Sequence, residues 1–522
     1  MRPRVTRHFV RIGDRRVHYR RAGSGPPVLM VHQSPRSSAE YEPLMRDWAA
    51  HFTVIAPDTP GFGQSDPLSG QDAPEVEDYA DAVVALLDAL GIAQVGAYGF
   101  HSGAIILVSA AKRHPERFSA VAANGYAVWL PEERAAFGAS YTPPLVPQPY
   151  GEHLVWAWNR ILEQSWFFPW YDVRDATRLP APSDDPADVA PPVLDLLASG
   201  DAYRLGYSAV LRANRDLPPP GAPSPPTLLT VADADPLRPH LDRLGELPPN
   251  WVKRPAATRA ETDALCLAHL RAHPAPSAPE LPEAADAGFV HVAAGGFDGL
   301  IHWQGARSSA RLVLPAPGRA AALIDTGEGV AISLPGHGLS DDWPADAAPG
   351  LNEWTAVAAA AARALLGQNI AVVAGESWSA LLAIEVAEAL GVSIAQALGG
   401  VLPVNADGWD ELPDLTPDRD GAWLIRAWSA VRAGHFFWPW FRAGAANAIP
   451  FAPESIAPDR LAAEHLALLQ ARSGRALLEL LKQIDRARLL QDARLAKMEV
   501  RWPLPDWAAA RDDVWRPAVS TV

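Results

Sequence analysis

The sequence predicts an α/β protein made of two tandem units, each a mostly parallel sheet flanked by helices and carrying a helical cap. Three observations support this prediction. A chain of 522 residues exceeds what one hydrophobic core usually supports. A strand–turn–helix corner occurs twice, at 97–103 and 373–379. Further features recur around both corners in the same order, with a period of about 275 residues.

Each half opens with predicted strands. Residues 9–12 and 16–19 alternate apolar and polar side chains around a Gly-Asp pair, which indicates a hairpin, and 28–32 is a buried strand. In the second half, 299–303 and 311–314 take the same places. The two halves are therefore expected to begin in the same way.

An amphipathic helix is predicted before each corner, because apolar residues recur there at helical spacing. The residues that share this face in the first half are Tyr79, Val83, Leu86, Leu87 and Leu90. Those in the second half are Trp354, Val357, Ala361 and Leu365. Beyond the corners, aromatic runs at 166–171 and 436–441 extend the repeat into the predicted caps.

The two corners carry different residues at their tips, His101 in the first and Ser377 in the second. Small residues lie two positions before and after each tip, where the strand and helix backbones must nearly touch. Both corners resemble the nucleophile elbow of the α/β-hydrolase superfamily, in which a sharp turn holds the reactive side chain above the sheet. A histidine in the nucleophile position is unusual for that pattern.

Other motifs extend the resemblance over most of the chain. Residues 60–66 and 335–341 resemble the superfamily's PGxGxSD turn after the fourth strand. Residues 227–239 resemble its seventh strand and acid loop, with Asp235 in the place of the acid. The second half has no recognisable acid loop, so that copy is expected to lack its last strands.

Proline-rich segments favour extended connectors, and one lies near the middle of the chain. We therefore predict a first domain at 1–272, with its cap at about 127–215. A Pro/Ala-rich linker follows at 273–287. The second domain is predicted at 288–522, with its cap at about 405–480.

The resemblance implies a nucleophile, an acid and a histidine, together with an oxyanion hole of backbone amides. It places His101 and Asp235 in the first two positions, and assigns the amides of Gln33 and Ser102 to the oxyanion hole. The expected place of the closing histidine holds Thr258-Arg259 instead. A standard Ser-His-Asp acyl transfer is therefore excluded in the first half.

Several roles remain open for the first corner. A neutral imidazole can act as a general base or a nucleophile, with Asp235 orienting His101. Alternatively, Ser102 is the nucleophile, although that register places the bulky Phe100 where the backbones cross. A third alternative is that His101 is a relic and the pocket only binds ligands.

In the second half, Ser377 is a weak nucleophile unless a base is adjacent. The candidate bases are His302, His337, His435 and His465. None of them belongs to a motif with a triad role, so this half is expected to be a structural or binding module.

Further residues are candidates for substrate binding. His32 lies in the predicted oxyanion loop, and Arg36 and its counterpart Arg319 could hold a substrate carboxylate or form ordinary ion pairs. Trp166 and Trp170 could line an apolar pocket. Alternatively, the aromatic caps form the contact through which the two halves pack as a pseudo-dimer.

Composition excludes several classes of function. A net charge of -15 disfavours nucleic acids and anionic membranes as partners. No motif for a metal, nucleotide or flavin occurs, and the single Cys266 excludes an internal disulfide framework. With no apolar run long enough for a membrane span and no signal-peptide pattern, a soluble cytoplasmic protein without a cofactor is expected.

The sequence therefore favours an atypical hydrolase that acts on a small apolar or aromatic ester, amide or carbon–carbon bond. Two alternatives belong to other classes. One is a catalytically inactive binding or assembly protein that keeps the elbows for architecture. The other is a lyase or proton-transfer enzyme, for which a base without a nucleophile suffices.

Overall fold

The computed structural model describes all residues except 1, 2, 139, 216, 220, 278, 280–285, 326, 328, 408, 410, 487, 488, 490–497 and 518–522. The chain divides into two compact units. The first comprises Met1–Val146 and His153–Ala284, and the second comprises Pro147–Glu152 and Ala285–Val522. The predicted boundaries of the domains and caps remain predictions.

The first unit contains an eight-stranded sheet. Its strands are β1 Thr6–Ile12, β2 Arg15–Ala22, β3 Pro27–Val31, β4 Thr53–Pro57, β5 Val95–Phe100, β6 Phe118–Asn124, β7 Thr227–Thr230 and β8 Trp251–Lys253. Their order is β1-β2-β4-β3-β5-β6-β7-β8. The opening hairpin is antiparallel, as the alternating pattern predicted, and all pairs from β4 to β8 are parallel.

Helices cover this sheet and form the cap. They are α1 Glu42–Trp48, α2 Val76–Ala89, α3 Ser102–Arg113, α4 Pro131–Phe137, α5 Glu152–Gln164, α6 Pro186–Ser199, α7 Tyr203–Arg212 and α8 Arg259–Ala272. Helices α1 and α8 bury Trp48 and Leu270 in a core that includes Tyr98 of β5. Helix α2 packs on α3 through the predicted apolar face. The segment from α4 to α7 lies between β6 and β7 in the chain.

The second unit contains a seven-stranded sheet. Its strands are β9 Ala287–Ala294, β10 Phe297–Gly305, β11 Arg311–Leu314, β12 Val330–Ile332, β13 Val372–Glu376, β14 Ile394–Leu398 and β15 Glu499–Arg501. Read from β9, the order is β9-β10-β12-β11-β13-β14-β15. This is the order of the first seven strands of the other sheet.

The helices of the second unit follow the same pattern. They are α9 Leu351–Leu366, α10 Ser379–Leu390, α11 Ala422–Gly434, α12 Pro458–Leu469, α13 Gly474–Lys482 and α14 Asp506–Ala509. The short β15 fills the seventh place, and the described residues contain no strand in the eighth. Among the described helices, none has the length and apolarity needed to cross a bilayer.

Candidate active site

The first corner is a sharp turn between β5 and α3, with His101 at its tip. His101 has φ 49° and ψ −110°, a conformation rarely adopted by residues other than glycine. A Cβ atom on Gly99 would lie 2.5 Å from the backbone of Gly103. The backbones therefore cross at these two glycines, which makes His101 the tip residue and places Ser102 in the first turn of α3.

His101 and Asp235 form a hydrogen-bonded pair. The distance between His101 Nε2 and Asp235 Oδ2 is 2.8 Å, and the other carboxylate oxygen accepts the Leu237 amide at 2.8 Å. Asp235 reaches this position from the loop after β7, the strand next to β6 in the sheet. Parallel strands bring both loops to the same edge, so residues separated by 134 positions meet there.

The ionised carboxylate of Asp235 fixes the tautomer of the neutral His101 ring. Burial favours the neutral form of Asp235, but His101, the Leu237 amide and Arg259 outweigh burial and lower the pKa of that carboxyl. An ionised carboxylate only accepts hydrogen bonds, so His101 Nε2 carries the proton. In the neutral ring, Nδ1 then has the free lone pair, and no described residue forms a hydrogen bond with it.

Two stacked side chains support the back of His101. Phe100 lies against the imidazole with ring centroids 3.9 Å apart, and the Arg259 guanidinium lies 3.7 Å from the Phe100 ring centroid. Arg259 also donates to the Tyr98 hydroxyl at 3.0 Å and to Asp263 at 3.1 Å. The sequence placed Arg259 where the closing histidine was expected, but nothing in the pattern indicated this support.

Gly125, directly after β6, closes another side of the imidazole. Its φ is +72°, and a Cβ atom built there would lie 2.3 Å from His101 Cδ2. Because Gly125 has no side chain, the His101 ring can occupy the space beside it. No local sequence pattern indicates this role of Gly125, because His101 is distant along the chain.

The predicted oxyanion hole is wrong in one of its two amides. The backbone amide of Gln33 donates to Glu40 Oε1 at 2.9 Å, and its side-chain amide donates to Oε2 of the same carboxylate. The next amide, that of Ser34, donates to Ser102 Oγ over 3.2 Å. The Ser102 amide, in the first turn of α3, has no hydrogen-bond partner among the described residues.

A cavity of about 220 Å³ lies over this corner. It is lined by Gln33, Ser34, His101, Ser102, Ile105, Trp129, Tyr141, Gln164, Phe168, Leu179, Tyr207, Val210, Leu211, Pro236 and Leu237. Most of these side chains are apolar or aromatic, and the polar residues Gln33, Ser34, His101 and Ser102 lie at the elbow and the loop after β3. This is the usual composition of a site for a small molecule.

Four of the residues predicted to bind substrate lie outside the lining of this cavity. The ring of His32 is buried and hydrogen bonded to Gln33 and Thr59, which fixes the loop. Arg36 pairs with Asp195 at 2.8 Å, the ordinary ion pair considered for it.

Trp166 and Trp170 form contacts within the cap and do not line the cavity. Trp166 lines a different surface pocket and donates to the Ser183 carbonyl at 2.9 Å. Trp170 is buried and donates to the Tyr141 carbonyl at 3.1 Å. The aromatic run thus packs the cap around the cavity, whereas Phe168 lines it.

The second elbow has the same backbone without a base. Ser377 has φ 45°, and a Cβ atom on Gly375 would lie 2.2 Å from the Ser379 carbonyl oxygen. No side chain among the described residues forms a hydrogen bond with the Ser377 hydroxyl. Arg319 pairs with Glu376 at 3.1 Å.

The four candidate histidines of this unit have other partners. The partners of His302, His337, His435 and His465 are, in that order, the Ser333 hydroxyl, the Pro335 carbonyl, the Glu464 carboxylate and the Leu424 carbonyl. The closest of these contacts is the one between His435 and Glu464, at 2.8 Å.

Strand order, elbow and acid loop together define the first unit as an α/β-hydrolase fold. Residues 26–257 match the family model for the alpha/beta hydrolase fold, and this segment is therefore similar to that family.

Curated relatives of the chain include several hydrolases and a cis-3-alkyl-4-alkyloxetan-2-one decarboxylase of Shewanella oneidensis, which is 34% identical over 132 residues, 24% of this chain and 41% of the relative. A 2-(acetamidomethylene)succinate hydrolase of Mesorhizobium japonicum is 35% identical over 131 residues, which are 24% of this chain and 46% of the relative. A soluble epoxide hydrolase of a Corynebacterium species is 38% identical over 100 residues, 19% of this chain and 34% of the relative. A 2-hydroxymuconate semialdehyde hydrolase of a Pseudomonas species is 35% identical over 119 residues, 22% of this chain and 41% of the relative. The chain thus spans less than half the length of these relatives.

Solved structures with a similar fold include two hydrolases. The enol-lactonase of Burkholderia xenovorans has a TM-score of 0.38 and 19% identity, and the match covers 49% of this chain and 96% of that one. Epoxide hydrolase A of Mycobacterium thermoresistibile has a TM-score of 0.40 and 18% identity, covering 53% of this chain and 100% of that one.

Proposed function

We propose that the first unit is a hydrolase in which His101 acts as a general base, oriented by Asp235, on a small apolar or aromatic substrate. The observation that carries this proposal is the 2.8 Å contact between His101 Nε2 and Asp235 at the wall of the cavity. It leaves Nδ1 as the basic atom of the ring. The hydrolase relatives support the same class of reaction.

The reaction proceeds by direct attack of water. His101 Nδ1 takes a proton from a water molecule, and the water oxygen attacks the carbonyl carbon of the substrate. The imidazolium then returns the proton to the leaving oxygen or nitrogen as the acyl bond breaks. The amides of Ser34 and Ser102 stabilise the oxyanion, once the substrate oxygen replaces Ser102 Oγ as acceptor.

The lining of the cavity indicates the substrate class. Trp129, Phe168 and Leu179 favour a compact apolar or aromatic acyl group, because about 220 Å³ admits only a small molecule. The relatives are named for a succinate derivative, an epoxide and a semialdehyde. We take a small ester or amide as the first class to test.

The test compares His101→Ala with Ser377→Ala, which alters the tip of the other elbow. Hydrolysis of p-nitrophenyl acetate, butyrate and benzoate, and of the matching anilides, is measured together with thermal unfolding. We expect His101→Ala to lower kcat/KM by at least about 100-fold. Its free energy of unfolding should stay within about 1 kcal/mol of wild type, because the side chain is partly exposed.

Two other outcomes would contradict the proposed role of His101. Activity that survives in His101→Ala but is lost in Ser377→Ala would move the active site to the second elbow. Ligands that raise the melting temperature of the wild type without any turnover would favour a binding protein.

A further inference from the structure

A buried arginine behind the cavity has no anionic partner among the described residues. Arg160, on the cap helix α5, is 1% exposed. No described carboxylate lies within ion-pair distance of its guanidinium, and its Nε and Nη2 atoms form no hydrogen bond with described residues. An unpaired charge in such a position costs free energy, so it is uncommon without a functional reason.

The surroundings of Arg160 connect it to the cavity. Its Nη1 donates to the side-chain carbonyl of Gln164, one turn further along α5. Its guanidinium carbon lies 6.0 Å from the ring centroid of Tyr207 and 5.2 Å from that of Trp170. Both Gln164 and Tyr207 line the cavity, so the cation lies directly behind the cavity wall.

The charge balance of the cavity points to the ligand. None of the lining residues is a lysine or an arginine, and the carboxylate of Asp235 is already matched by His101. The Gln164 carbonyl oxygen occupies the position in which an anionic oxygen would interact most favourably with the Arg160 guanidinium. A ligand carboxylate that displaced this oxygen would receive the planar donor set of the guanidinium.

We propose that the ligand of the first unit carries a carboxylate and that Arg160 receives it, with Gln164 as a placeholder in the free protein. This inference rests on the proposed function for the identity of the cavity. It narrows the substrate from a small ester or amide to one that also carries a carboxylate.

The experiment measures binding rather than turnover. Melting temperatures and Kd values are determined for wild type with benzoate, phenylacetate and succinate, and with the corresponding neutral amides. We expect the carboxylates to bind more tightly than the amides, and Arg160→Met to weaken them by about 10- to 100-fold. Arg204→Met is the control, since this cap arginine already pairs with Asp201 at 2.9 Å.

A second variant covers the case in which Arg160→Met fails to fold. Gln164→Glu places a carboxylate beside the guanidinium, so we expect a higher melting temperature without ligand and no further stabilisation by benzoate. Equal binding of acids and amides by wild type, or an unchanged Kd for the acids in Arg160→Met, would overturn the proposal. Because binding is read without catalysis, carboxylate binding that depends on Arg160 in a protein that hydrolyses nothing would reject only the proposed hydrolase.

Discussion

The pairing of His101 with Asp235 leads to a specific expectation for Asp235→Asn. The Leu237 amide donates to Asp235 Oδ1 at 2.8 Å, so it holds the oxygen of an asparagine at that position. The asparagine NH₂ group then faces His101 Nε2. Since this group only donates, Nε2 becomes the acceptor and the ring proton moves to Nδ1.

The expected fall in kcat/KM for Asp235→Asn results from the loss of the general base. With Nδ1 protonated, the atom that faces the reaction can no longer accept a proton from water. A positioned general base contributes about 10²–10⁴-fold, so kcat/KM should fall by this factor, about 2.7–5.4 kcal/mol of transition-state stabilisation. The stability cost is smaller, at most about 2 kcal/mol, because the pair is partly open to solvent.

The assay is kcat/KM for the most reactive ester of the panel, with Asp233→Asn as the matched control. Asp233 lies in the same loop, but its side chain is 63% exposed and pairs with Arg238 at 3.3 Å. Wild-type activity in a folded Asp235→Asn protein, or an equal loss in both variants, would refute the orienting role.

The same pair gives a dependence of stability on pH. The folded-state pKa of Asp235 lies below its unfolded value, so its stabilising effect is complete above about pH 4. That effect is lost as the pH falls through the folded-state pKa. The difference in unfolding free energy between wild type and Asp235→Asn should therefore shrink in strong acid, and a constant difference would contradict this account.

Two further expectations concern buried positions. Gly125→Ala should lower kcat/KM by at least about 100-fold, because its Cβ would lie 2.3 Å from His101 Cδ2. Gly70→Ala is the control, because Gly70 has a φ of +70°, close to that of Gly125, and no neighbour within 4 Å. This variant should lose about 1–2 kcal/mol of unfolding free energy through backbone strain but keep full activity. Burial lowers the pKa of His337 to about 4 despite the Pro335 carbonyl, so the folded state is disfavoured as pH falls below about 6.5. Urea unfolding should show a loss of about 2 kcal/mol between pH 6.5 and 5 that is absent in His337→Asn, and identical pH profiles would exclude this cause.

The sequence predicted the parts of the fold that depend on local pattern. Short sequence segments are enough to predict the strands, the amphipathic face of α2 and the elbow glycines. Periodicity and close backbone contact constrain residues that are near one another in the chain. The tip position of His101 follows from Gly99 and Gly103 alone. The acid loop containing Asp235 was recognised by its resemblance to the family.

The sequence does not reveal a role that depends on which polar groups form hydrogen bonds or ion pairs with one another in the folded chain. The Gln33 amide looked available until the fold brought Glu40 to it, and the usable amide is then that of Ser34. Arg36 looked like a candidate carboxylate ligand, but Asp195, far along the chain, neutralises it. Hydrogen bonds and ion pairs of this kind have no sequence period, so no local pattern reveals them.

By itself, the sequence determined an α/β-hydrolase fold with an imidazole at the first elbow and a carboxylate in the acid loop. Only the tertiary structure decided that these two groups lie 2.8 Å apart, that Gly125 leaves room for the ring, and that Arg160 is buried with no described acid beside it. The reason is physical. Chain-local sterics and periodic burial fix the elements, whereas the chemistry of the site depends on distances between loops that meet only when the sheet assembles.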